Sequence, residues 1–194
     1  MPGGSAPWVA ATFQNDGSAG VILTISGADL AGTEKLDQIF FNVNPAYGAS
    51  IANLAFSRLS SSGSFTLPTI TRGEDAEKSG GDGYYDVELA FATGKGVFQQ
   101  GDSISYLISG ISGLTASDFV YTSTHGGGAG TYYVAAHILS IDGGGSAWVD
   151  PAGGAIPLSS TGAIPEPAFF GFYATAMALV VAFRFKRSLP ARRC

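Results

Sequence analysis

Up to about residue 150 the chain is a succession of short apolar runs, many of them alternating, each closed by Gly, Ser, Asp or Asn. Alternation with a period of two places one set of side chains on each face of a pleated strand, and a helix cannot use it. In Tyr84–Phe91, the residues Tyr85, Val87, Leu89 and Phe91 fall on one face, with Asp86 and Glu88 on the other. In Ser103–Ser109, Ile104, Tyr106 and Ile108 face one way, and serines with Leu107 the other. The intervening segments carry turn chemistry: Asn15-Asp16-Gly17, Gly80-Gly81-Asp82-Gly83, Gln100-Gly101-Asp102 and Asp142-Gly143. With 28 glycines, 12% aromatic residues and only 13% charged residues, the composition is neither disordered nor collagenous, since the glycines have no three-residue period.

The predicted strands are Val9–Gln14, Gly20–Ser26, Gln38–Asn44, Ile51–Arg58, Ser64–Leu67, Tyr84–Phe91, Ser103–Ser109, Tyr132–Ile141 and Ser146–Val149. Only Leu114–Phe119 suggests a helical turn. The expected fold class is therefore all-β, an antiparallel β-sandwich of jelly-roll-like type over residues 9–155, with a barrel as the alternative. Residues 1–8 are expected to be a disordered start, and residues 156–163, made of Pro, Ser, Thr, Gly and small apolar residues, a linker.

The chain then changes character. Residues 168–183 run sixteen positions without a charge and are followed by Arg184, Lys186 and Arg187, with Arg192 and Arg193 beyond. As a helix this run is about 24 Å long, somewhat short of a hydrocarbon core of ~30 Å, and its basic neighbours can snorkel to the headgroups. The basic cluster predicts a cytoplasmic C-terminus for this transmembrane helix. A buried amphipathic helix is the competing reading, but the run is apolar all round and follows a Pro-x-Pro break. Charge is divided to match: residues 1–163 carry 14 acids and 5 bases, a balance of −9, while 164–194 carry one acid and five bases. An acidic domain repels phosphate backbones, so no nucleic-acid partner is expected. The lone cysteine, Cys194, allows no intrachain disulfide and makes no prenylation box.

Pro165, Glu166 and Pro167, one short hydrophobic helix and a terminal Arg-rich cluster together resemble the PEP-CTERM sorting signal. The resemblance implies that a membrane-embedded cysteine protease, an exosortase, recognises Pro165-Glu166-Pro167 and cuts near it, and that the chain is its substrate. It also implies an inner-membrane single-pass precursor, then a cell-surface or secreted form, and an association with exopolysaccharide and biofilm. The runs GDGYYDVELAF (81–91), GLTASDF (113–119) and GTYYVAAHI (130–138) are similar to the extracellular part of many PEP-CTERM proteins of environmental bacteria. That similarity implies a common fold and no reaction. Residues 1–8 contain neither a basic n-region nor an apolar h-region, which reads as a late-called start codon or a fragment; a cytoplasmic domain on a plain tail anchor is the rival.

Candidate chemistry in the domain is sparse. Asp82 and Asp86, preceded by Glu74, Asp75 and Glu77, form the densest acidic stretch and a candidate Ca²⁺ site, although it departs from the EF-hand pattern. An acidic turn capping a strand is the plainer account. His125 and His137, the only histidines, have nothing in the sequence to place them on a metal. No Gly-x-Ser-x-Gly elbow and no phosphate loop is present, so no catalytic residue and no cofactor other than calcium is expected. Sugars stack on exposed aromatic rings, which makes Tyr132 and Trp148 candidate glycan contacts. The function expected is a non-catalytic surface or matrix protein. A carbohydrate-binding module is the alternative, and a secreted glycan hydrolase a further one.

Overall fold

The computed structural model describes residues 1–149 other than 19, 82, 125, 127–130, 142 and 143. The described residues form nine strands: β1 (Val9–Asn15), β2 (Val21–Gly27), β3 (Lys35–Phe41), β4 (Ala55–Ser62), β5 (Thr69–Lys78), β6 (Tyr84–Ala90), β7 (Ser103–Ser109), β8 (Val134–Ile141) and β9 (Gly145–Val149). They make two sheets, ordered β1-β2-β7-β4 and β5-β6-β3-β8-β9, and every pairing is antiparallel. Phe13, Leu23, Ile25, Ile104 and Ile108 from the first sheet share one apolar core with Leu36, Ile39, Phe41, Val87 and Leu89 from the second. The domain is all-β, built as two antiparallel layers around a common core.

The crossovers between the layers are nested. β2 lies beside β7 in one sheet, and their chain neighbours β3 and β6 lie beside each other in the other. β4 and β5 then flank β7 and β6 on the outside. β1 and the β8–β9 hairpin extend the two sheets beyond this nucleus.

Strand boundaries agree best where one face is buried. In β2 and β7 burial alternates residue by residue, as expected from their sequence. Two expectations fail. Ser64–Leu67 is not a strand; Thr66 N donates to Gly96 O at 2.8 Å and Phe65 packs edge-on against Phe98. The strand there is β5, whose sequence TITRGEDAEK lacks an apolar period because it is an edge strand with no fully buried residue. The predicted strand Ile51–Arg58 begins only at Ala55, because Pro45–Asn53 forms two short 3-10 turns broken by a kink at Gly48, with Pro45 in the first and the Asn44 side chain accepting from Ala46 N.

The face assignment in β6 also needs correcting. Val87 and Leu89 enter the shared core, but Tyr85 packs with Phe40, Ala135 and Trp148 on the opposite side of the sheet. Asp86, expected to face solvent, is only 5% exposed. The pairing of β5 with β6 jumps between Arg72 and Glu77, and this irregularity disrupts the alternation beside Asp86.

Residues 1–8, read from the sequence as a disordered start, are tied to the domain. Gly3 N donates to Glu34 Oε1, Ser5 N to Asp29 Oδ2, and Trp8 O accepts from Ala28 N. Among the described residues no helix is long and apolar enough to cross a membrane. The expected linker 156–163, the transmembrane helix 168–183, and Pro165, Glu166, Pro167, Arg184, Lys186, Arg187, Arg192 and Arg193 lie outside the described residues.

Candidate functional site

Where β3 leaves its sheet, four segments of the chain line an open cavity of about 240 Å³. Its walls are Asn42, Val43, Pro45 and Ile51 from the β3 exit and 3-10 segment, Glu74 and Asp75 from β5, Asp86 from β6, and Tyr121, Thr122 and Thr124. Asp86 is the bracket between them. Its Oδ2 accepts from Val43 N at 2.8 Å and its Oδ1 from Asp75 N at 2.9 Å. Asp75 sits at φ 48°, a left-handed conformation uncommon for a residue with a side chain, within the stretch of β5 that loses register. Burial pushes the Asp86 carboxyl above the ordinary aspartate range; the two N–H donors oppose this, and the charges of Asp75 and Glu74 add to it.

A second carboxylate holds the neighbouring 3-10 turn. Asp118 accepts from Asn44 Nδ2 at 2.9 Å and from Thr115 N and Oγ1 at 2.9 and 2.7 Å, while its carbonyl takes Asn44 N at 2.7 Å. Burial alone would raise its pKa, but these donors, with Tyr47, outweigh burial and hold it below the usual range. The segment that follows is pinned by Thr124, which exchanges both backbone hydrogen bonds with Tyr84. The cavity is thus held by backbone and carboxylate bonds rather than by side-chain packing alone.

Asn42 is 3% exposed, and its Nδ2 has no hydrogen-bond partner among the described residues. Leaving a buried amide donor unmade costs about 1–3 kcal/mol, and native folds rarely accept it without a reason.

The outer face of the five-stranded sheet carries a second polar group. Gln38, His137 and Trp148 stand opposite one another on β3, β8 and β9. His137 Nδ1 lies 2.8 Å from Asp37 Oδ2, and its ring stacks on Trp148 at 4.6 Å. Gln38 Nε2 donates to Glu88 Oε1 at 2.6 Å. Burial raises the Glu88 pKa, and the Glu77 carboxyl hydrogen-bonded to it and the nearby Asp37 charge push it further up.

The structure separates residues that the sequence grouped. Trp148 has one ring face taken by His137 and touches Phe40 at 5.7 Å. Tyr132 is tied instead to the loop beside the cavity: its N donates to Ser123 Oγ and its carbonyl accepts from Ser123 N. Tyr132 and Trp148 share no ring contact among the described residues. Of the candidate calcium pair, Asp86 is the bracket just described, and Asp82 lies outside the described residues, as does His125. Among the described residues no group of three or more His, Cys, Asp or Glu side chains is placed to hold a metal ion. Asn42 and Asp37 escaped the sequence reading because each gains its meaning only from a partner segment far along the chain.

No family model, curated protein or solved structure matches this chain. Its function therefore has to be argued from its own residues.

Proposed function

We propose that the chain is an exported, non-catalytic surface or matrix protein, carried to the membrane by its C-terminal segment and released there by an exosortase-like protease. One observation carries this reading: Pro165-Glu166-Pro167, an uncharged run over 168–183 and a terminal basic cluster follow in that order within the last 31 residues. The run is long enough to cross with help from snorkelling Arg184, Lys186 and Arg187, and the basic cluster orients it with the C-terminus in the cytoplasm. The acidic domain then lies outside the inner membrane, in the exopolysaccharide matrix. The nested crossovers support the finer description of that domain as jelly-roll-like.

The test is the intact mass of the protein in membrane and extracellular fractions of the native host, beside a strain with Pro165, Glu166 and Pro167 all changed to alanine. The expected result is a shortened extracellular form in the parent. In the triple variant it disappears and the uncut chain accumulates in membranes. Uncut protein in the membranes of both strains would make the segment a plain anchor and remove the protease from the account.

A further inference from the structure

We propose that β1 is the edge at which two copies of the chain pair, antiparallel about a two-fold at Thr12, joining their four-stranded sheets into one of eight strands. The inference rests on none of the sorting argument, and either can fail alone. An edge strand leaves alternate N–H and C=O groups without partners, and folds blunt such edges with charges, bulges or broken pairing. Three of the four edges here are blunted in this way. β4 carries Arg58 and loses register with β7 at Leu59. β5 carries Arg72, Glu74, Asp75, Glu77 and Lys78 and loses register between Arg72 and Glu77. The pairing of β9 with β8 is interrupted at Ser140, which sits at φ 64°. β1 has none of these devices. Val9–Asn15 contains no charge and no proline, and it pairs with β2 without a break along its whole length. Among the described residues, no backbone hydrogen bond reaches it except from β2.

Charge and side-chain size select a second copy as the occupant. Residues 1–163 carry 14 acids against 5 bases, so two such domains repel wherever their acidic surfaces meet. β1 and the two strands behind it, β2 and β7, hold no charged residue, and copies that meet edge to edge here oppose no like charges. A two-fold at Thr12 sets Thr12 against its own copy, Ala10 against Gln14, Ala11 against Phe13 and Val9 against Asn15. Threonine opposite threonine is a favourable cross-strand pair, and on the core side the small Ala11 faces the large Phe13. The two-fold arrangement is closed, and it is the commonest one for identical chains. Thr12, Thr24, Ser105 and Ser60 already stand in one row across the sheet, and the pairing continues that row into the second copy.

The experiment takes the full chain in detergent micelles, carrying Cys194→Ser so that no thiol remains, and measures its association by sedimentation equilibrium. A dimer is expected with a Kd on the order of 10 μM, in keeping with an interface below standard size. Thr12 is exposed, so Thr12→Lys should leave the circular dichroism spectrum unchanged, and it should weaken the dimer about tenfold or more by opposing two ammonium groups at the two-fold. Register is read separately with a short thiol-to-thiol crosslinker. Thr12→Cys should crosslink to its own copy, and Ala10→Cys to Gln14→Cys in a mixture, while neither of the last two crosslinks to itself. Thr24→Cys, one strand inward on the same face, should not crosslink. A chain that stays monomeric about tenfold above that Kd, a dimer indifferent to Thr12→Lys, or crosslinks in another register would each overturn the proposal. A monomer whose β1 amides all resist hydrogen exchange would give the edge to the chain's own residues beyond 149 and overturn it likewise.

Discussion

Phe119→Ala is expected to destabilise the domain by about 3–5 kcal/mol, the range for removing a fully buried ring. Phe119 is 0% exposed and stacks on Phe13 of β1 at 4.5 Å, while meeting Phe41 of β3 edge-on at 5.8 Å. Phe13 and Phe41 also meet directly, at 5.1 Å, so the three rings join one strand of each sheet to the short 3-10 turn Ala116–Phe119. Its two ring partners sit in paired strands, one in each sheet, which limits how far the site can collapse to fill the hole. For a domain of this size the change corresponds to a fall in Tm of roughly 6–20 °C, measurable by thermal unfolding followed by circular dichroism. A cost under about 1 kcal/mol would mean that the three rings do not bind the layers together.

Asp86→Ala should cost about 2–5 kcal/mol and, unlike the core variant, should do so in a pH-dependent way. The substitution leaves Val43 N–H and Asp75 N–H without their acceptor, each at about 1–3 kcal/mol if buried. Against this, it removes a carboxylate that resists ionisation in its buried position. The sign follows from the raised pKa. The folded protein holds the Asp86 proton more tightly than the unfolded chain does, so its contribution is fullest below the unfolded aspartate range. It diminishes as pH rises through the folded value. The stability difference between parent and variant is therefore expected to shrink as pH rises from the aspartate range toward neutrality. Urea unfolding of both proteins across that range measures it, and a difference that widened with pH would refute the burial argument.

The paired strands β2 and β7 were legible because a half-buried strand writes its environment into a period of two, and both keep that period from end to end. β5 left no such mark. An edge strand exposed along its length is held by backbone hydrogen bonds to β6, and those are indifferent to side-chain identity. Asp86 shows the limit more sharply. Its place between Tyr85 and Val87 predicts a solvent-facing carboxylate, and only the slip in register between β5 and β6 turns it inward onto Val43 and Asp75.

The amino-acid sequence by itself determined the all-β class, the places of most strands, and the division between an acidic domain and a basic, apolar C-terminal segment. These are properties of composition and short-range period, which no later packing can rewrite. Tertiary structure alone decided which strands share a sheet, which face Tyr85 takes, and which side chains meet at the cavity. Asn42, Asp75, Asp86 and Tyr121 come from four segments of the chain, and only the nested crossovers and the Asp86 bracket bring them together. Contacts between segments so far apart depend on the closure of the whole core, and no local pattern encodes them.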